Sequence, residues 1–489
     1  MAHEIEADWD QVHLLPACIE DWIEAEHPAR FIREFVEELD LTAMGFAVSS
    51  GGTEGRPRYA TKLLLRVWLY GYYQKVRSTR ALERACRERM GFVWLCGTHR
   101  PDHNSLWRFW DQNRGALSCL FKQSVRVAMK LKMVGFVTQA IDGTKIQSSS
   151  GTRKACDEAS LKRQIVALDQ QIEELERQLA VSAQSGSSDD LPRQLRSKTT
   201  LREKVRAALS DVQDDKSRHI HPNEPEARRM SADGRNRFAY NAQAVVDEQE
   251  QIITGADVVN DPNDKLQLNA MIEQAEQVTG QTCEQSLADG GYYSGEQILQ
   301  SQDKNIIMPL PRVSQNKENN PYHVSCFEYD SETDEVVCPQ KRRISFQRER
   351  IRGKSIVRIY RSARTCKDCP VRQQCTKDRH GRTIEIAPWY EAVNAHREKM
   401  STEASLQAYQ KRARIVEPVF AWIKNNDGLR RWSFRGLDKV KTQWSMLCTS
   451  RNLRAIFRKW LENRQNPSPT CPNSILNFPA VGYEPCFTD

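Results

Sequence analysis

The sequence predicts an α/β protein: a mixed sheet with helical and cysteine-rich insertions, preceded by an all-α N-terminal region. Three observations predict it. Residues 59–132 pattern as a set of short helices. From residue 135 short apolar runs alternate with helical patterns, in the order strand, helical insertion, strand, strand, helix, strand, helix, strand. Between 311 and 387 that order stops and cysteines gather. A chain of 489 residues can hold two or three domains. They are read as a helical domain at 1–132, an α/β domain at 133–464 with insertions at 157–215 and 311–387, and a tail at 465–489.

Taken in order, HPARFIREFVEEL (27–39) places Phe31, Phe35 and Leu39 at fourfold spacing, an amphipathic helix. SSGGTEGRP (49–57) is a Gly- and Pro-punctuated loop. Leu63, Val67, Leu69 and Tyr70 fit one helix, and Thr79 to Arg89 a second with Ser78 as its N-cap. PDHNSLWRFWDQN (101–113) fits a third, capped by Asp102 or Asn104. Compact basic helices suit a helix-turn-helix-like DNA reader with Arg108 as a candidate contact; an aromatic core helix is the alternative. GFVTQAIDGTKIQSSS (135–150) is a strand that would carry Asp142, unless Asp142-Gly143 forms a hairpin turn.

Leu161, Ile165, Leu168, Ile172, Leu175 and Leu179 alternate spacings of four and three, a heptad seam. AVSAQSGSSDD turns the chain, and Leu191, Leu195, Val205, Leu209 and Val212 return as a second helix. An antiparallel hairpin is the simplest arrangement, with self-association through the seam open to it. FAYNAQAVVDEQEQIITGADVV (238–259) reads as a β-hairpin about Asp247–Gln251. DPNDKLQLNAMIEQAEQV (261–278) is a helix with Asp261 as its cap. CEQSLADGGYYSGEQILQSQ (283–302) is a strand, Asp289 in a Gly-Gly turn, and a helix; NIIMPL (305–310) is a strand. The proline-rich end is expected to be disordered.

Charge and cysteine content narrow the class. The net charge of +8 conceals basic blocks at 62–132 (+11), 341–382 (+12) and 410–464 (+10), leaving −25 on the remainder. Basic blocks interleaved with Trp, Tyr and Phe point to a nucleic-acid backbone, although such charges also solubilise helix faces. No apolar run reaches about 18 residues, which argues against a membrane span. MAHEIEADWD lacks the apolar region of a signal peptide, so a cytoplasmic protein is expected and its 14 cysteines read as thiols or metal ligands. Cys366-x2-Cys369, with Cys338 and Cys375, has the spacing of a tetrahedral zinc site; unligated cysteines in a small β unit are the alternative.

The chemistry centres on YQKRARIVEPVFAWIK (409–424). It sets Glu417 among Arg412, Arg414 and Lys424, with Val416, Val419, Phe420 and Ile423 as an apolar stripe. In an unbroken helix Glu417 and Lys424 share a face, but Pro418 predicts a helix start or kink there. A solvated helix with weak ion pairs accounts for the segment on its own. Asp142 and Asp289 change that: a first strand, a later strand and a following helix can bring three carboxylates to one sheet edge. Three such acids can hold two Mg²⁺ (or Mn²⁺) ions roughly 3.5–4 Å apart for phosphoryl-transfer chemistry.

These segments resemble the DDE transposases of bacterial insertion sequences over roughly residues 30–460. RYATKLLLRVWLYGYYQKVRSTRALERACRE resembles their N-terminal helical domain. AIDGTKI and LADGGYYSGEQI resemble the segments of their first and second Asp, and YQKRARIVEPVFAWIK the signature around their Glu. FAYNAQAVVD and the cysteine-rich segment match one branch of the family. The signature departs at one point: Tyr409 and Arg412 keep their mutual spacing but lie one residue early relative to Glu417. The resemblance implies an RNase H-like core and two Mg²⁺ on Asp142, Asp289 and Glu417. It also implies cleavage at terminal inverted repeats, followed by strand transfer into target DNA. Tyr409, Arg412, Arg414, Lys424, Arg430 and Arg431 would then contact phosphates, and a homodimer would join two element ends. A nuclease of the same fold that does not join strands, and an inert zinc-stabilised DNA-binding protein, are the alternatives.

Overall fold

The computed structural model describes residues 18–48, 58–151, 156–182, 190–215, 219–311, 320–353 and 355–465. The loop read at 49–57, most of the turn at 180–190 and the tail beyond 465 lie outside the described residues. Six helices come first: α1 (Pro28–Glu37), α2 (Thr61–Tyr73), α3 (Thr79–Glu88), α4 (Met90–Leu95), α5 (His103–Gln112) and α6 (Arg114–Lys130). Two expected caps form. The Ser78 hydroxyl accepts from Ala81 N at 3.2 Å, and Asp102 accepts from Ser105 N at 2.6 Å.

The main sheet follows. It comprises β1 (Thr138–Gln147), β2 (Arg228–Ala232), β3 (Arg235–Asp247), β4 (Ile253–Val259), β5 (Gln285–Leu287) and β6 (Ile306–Ile307). Its order is β2-β3-β1-β5-β6, with β4 also on β3. β1 runs antiparallel to β3 and parallel to β5, and β5 is parallel to β6. Asp142-Gly143 lies mid-strand opposite Ala244 and Gln243, so the dipeptide makes no turn. The β3–β4 hairpin turns where expected. β2 was not foreseen; it pairs with the first half of β3.

Between β1 and β2 come α7 (Glu158–Ser182) and α8 (Leu191–Asp215). The heptad seam is used inside this pair: Leu161, Leu168, Val205, Ala208 and Val212 share one small core. Of the rest of the seam, Ile165, Leu175 and Leu179 are half-buried. α9 (Leu268–Thr279) starts seven residues after Asp261, which does not cap it; Asp261 instead accepts from Gln267 Nε2 at 3.0 Å. α10 (Gly295–Gln300) follows β5.

A second, antiparallel sheet has the order β11-β10-β9-β8-β7. Its strands are β7 (Glu328–Asp330), β8 (Glu335–Val337), β9 (Arg343–Arg352), β10 (Ser355–Arg361) and β11 (Thr383–Ile386). Then come α11 (Tyr390–Met400), α12 (Glu403–Ala421) and the long α13 (Leu437–Gln465). α12 runs through Pro418 unbroken, against the expected start or kink. Proline gives no N–H to the carbonyl four residues back, and Gln251 Nε2 donates to that Arg414 oxygen instead, at 3.2 Å. The helix then widens into a π-turn at Trp422–Asn426, so Lys424 leaves the register that would align it with Glu417.

Strand alternation sorts the main sheet into two faces. Ile141 and Val245 pack on Leu268, Met271 and Ile272 of α9. Ala140, Ala244 and Val246 turn the other way into a core shared with Val416 and Val419 of α12 and Trp444 of α13. That core is continuous with Phe31, Trp68 and Trp110, so the N-terminal helices are packed onto the sheet through α13 rather than held apart from it. Among the described residues no helix is long and apolar enough to cross a membrane.

Candidate active site

Two of the three expected acids meet under α12. Asp142 lies on the α12-facing side of β1 and accepts from Gly143 N at 2.8 Å. Asp289 follows the parallel neighbour β5 and caps the tight turn Gly290–Tyr292, accepting from Gly291 N at 2.8 Å. In the parallel ladder Ala140 stands opposite Leu287, so Asp142 and Asp289, each two residues further on, come side by side. The Arg412 guanidinium joins them, with Nη2 at 3.0 Å from Asp142 Oδ2 and 3.8 Å from Asp289 Oδ2. Arg412 is buried, at 9% exposure, because it falls four and seven residues before Val416 and Val419 on the buried stripe of α12. Its Nε has no hydrogen-bond partner among the described residues.

Burial dominates the electrostatics. It pushes the Asp142 carboxyl up to about 6; Arg412 and the Gly143 N–H pull it down, while Asp289 and Asp264 add to the rise. Asp264 belongs to the opposite face of β1. A Cβ on Gly143 would meet Asp264 Oδ1 at 2.9 Å, and successive side chains alternate. Asp264 Oδ1 accepts from Asn241 at 2.6 Å and from Gln243 at 2.7 Å, and Lys145 stands 3.9 Å from Oδ2. Tyr292 donates to Gln243 Oε1, and burial with these nearby acids holds its phenol well above the usual range. This supporting network was missed in the sequence. Its signal was there: Asn241 and Gln243 interrupt an apolar strand with period two, so one face of β3 had to meet a polar partner.

Glu417 is not brought to the pair. It is exposed on α12, roughly 140° around the helix from Arg412, and makes no ion pair among the described residues. The expected phosphate contacts mostly have internal partners. Tyr409 is half-buried against the core. Arg414 pairs with Glu248 at 3.4 Å, and Lys424 with Asp233 at 3.7 Å. Arg430 donates to Asn425 at 2.8 Å and Arg431 to the Ser148 carbonyl at 3.2 Å. Arg108 stands exposed on α5.

The donor set at the pair suits a hard divalent ion, since two carboxylates converge where positive charge is needed to ionise Asp142. Here Arg412 supplies that charge. Among the described residues no group of three or more His, Cys, Asp or Glu is arranged to hold a metal ion, and this applies to the four cysteines as to the acids.

The fold and site define a mixed α/β protein with an acidic centre beside a basic helix. Residues 337–457 match the family model described as Transposase DDE domain, and residues 17–112 the one described as Transposase domain (DUF772). The first match includes Arg412 and Glu417 and begins after both aspartates; the second includes Arg108. No curated protein matches the chain. Both matched models describe transposases, which supports a DDE transposase of insertion-sequence type, a class whose substrate is DNA.

Proposed function

We propose that the protein cleaves DNA at the terminal inverted repeats of an insertion sequence and transfers the freed strand to target DNA, with Asp142, Asp289 and Glu417 as its acids. The observation that carries this is the convergence of Asp142 and Asp289 from adjacent parallel strands onto one guanidinium. Four strands in antiparallel pairings, β1 to β4, followed by the parallel β5 and β6 support an RNase H-like sheet, interrupted at 157–215 and 311–387 and preceded by a DNA-binding region at 1–132. When bound, Mg²⁺ supplies an activated water or 3′-hydroxyl and charge stabilisation on the leaving oxygen. Asp142 and Asp289 would hold it in a pocket whose burial strengthens every charge interaction. Arg412 balances the carboxylates in the metal-free protein, and its second role is to meet a DNA phosphate once that balance is supplied otherwise. Glu417 stands on the exposed side of α12, away from the pair, so its part in the acidic set would need α12 to shift when DNA binds. A homodimer pairing two ends is part of the same reading.

The test is nicking and joining of supercoiled DNA that carries the element's own ends, with Mg²⁺ or Mn²⁺, for wild type, Asp142→Asn and Glu417→Gln. Metal-dependent cleavage and joining, absent from both variants, is expected. Cleavage without joining would replace the proposal with a nuclease, and tight binding without cleavage would replace it with an inert DNA-binding protein.

A further inference from the structure

The second sheet holds a group of side chains that DNA chemistry does not use. Cys338, Cys366, Cys369 and Cys375 come from three separate segments and line one cleft of about 30 Å³, room for a single water-sized guest. Phe327 and Ile344 of the sheet's core lie beneath the cleft. Each cysteine-bearing loop is folded tightly around its thiol. Cys338 N donates to Arg342 O at 2.9 Å, Lys341 N to Cys338 O at 2.8 Å, and Arg342 N to Cys338 Sγ at 3.4 Å. That last contact directs a backbone N–H at sulfur. The second loop closes through Cys369 N to Cys366 O at 3.4 Å. Gly381, at φ +92°, lets its backbone approach Cys366; a Cβ there would stand 3.1 Å from Sγ and 2.8 Å from the Ser362 carbonyl. Cys375 is half-buried and lines the same cleft as Cys338, Cys366 and Cys369.

We propose that these four cysteines bind one structural zinc ion. Four thiolates around Zn²⁺ carry a net charge of −2, and Arg342, Arg372 and Arg382, which line the same cleft, offset it. The sulfurs face a common cleft without standing at a common point. Zinc–sulfur bonds of about 2.3 Å would draw them together, so binding is coupled to ordering of the three loops. The need is physical: the core of this sheet is six buried side chains, against a strand β9 in which only Ile344 is buried.

The test uses the full-length protein purified without chelator, with metal content measured by mass spectrometry. About one zinc per chain is expected in wild type, in Cys326→Ser, whose cysteine lies outside the cleft, and in Asp142→Asn, which separates this site from the carboxylates. Cys369→Ser is expected to lose it. Cobalt exchange into wild type supplies a readout that needs no variant to fold, and thiolate-to-cobalt charge-transfer absorption with a tetrahedral spectrum is expected. Zinc far below one per chain with no cobalt uptake, iron in its place, or full zinc in Cys369→Ser would each overturn the proposal.

Discussion

Asp142 with Asp289 and the helix face carrying Glu417 are built in opposite ways. The aspartates are fixed by backbone: one sits mid-strand, the other caps a tight turn, and a buried arginine holds both. Glu417 rides on the exposed side of α12, whose other side is locked by Ile415, Val416 and Val419. A site of this kind stores its repulsion in the rigid part and leaves the approach to DNA to the exposed part. Activity and stability should therefore separate: all three acids should count for chemistry, but only the largely buried Asp142 for folding.

The sharpest form of that contrast is a pair of substitutions. Asp289→Asn and Glu417→Gln should each lower DNA cleavage by at least about 10²-fold, measured as initial nicking rates in Mg²⁺. In chelator, Glu417→Gln should leave unfolding free energy within about 0.5 kcal/mol of wild type. Full activity in Glu417→Gln would confine the centre to the aspartates.

Arg412→Gln comes next. Removing the guanidinium leaves the largely buried Asp142 uncompensated beside the half-exposed Asp289, at a cost of about 3 kcal/mol in urea denaturation with chelator present. Part of that loss should return on adding Mg²⁺. If stability is unchanged, the Arg412 bridge does not hold the pair.

The pH dependence follows from Asp142. Its carboxyl is raised from 3.8 to about 6 on folding, so its stabilising contribution is complete below the unfolded value and is lost as pH rises through about 6. Metal-free protein should lose up to roughly 3 kcal/mol from this group between pH about 4 and 7.5, and Asp142→Asn should flatten that part of the profile. The smallest expected effect is on the helix itself. Gln251→Asn suits the left-handed φ of 53° but shortens the reach to the Arg414 carbonyl, and should cost about 1 kcal/mol or less by thermal unfolding.

What the sequence disclosed was local. The helix caps Ser78 and Asp102, the β3–β4 hairpin and the strand through Asp142 all follow from residue type and period. What it hid depends on partners distant in the chain. Pro418 signalled a break because Gln251, which takes up the orphaned carbonyl, is more than 160 residues away. Arg412 read as a phosphate contact because nothing local says that two acids, 270 and 123 residues upstream, lie beneath it. The core of α6 likewise forms against α13, far along the chain, and Asp264 is visible only through the polar residues of β3 that receive it.

The most direct test of the central claim is joining by pre-cleaved ends. DNA already bearing a free 3′-hydroxyl at the element terminus is supplied with target DNA and Mg²⁺, for wild type and Asp289→Asn. If the aspartate pair is the centre of both steps, wild type forms the strand-transfer product and the variant, still folded and still binding the ends, forms none. Joining by Asp289→Asn at the wild-type rate would contradict the account, and the active centre would have to lie elsewhere in the chain.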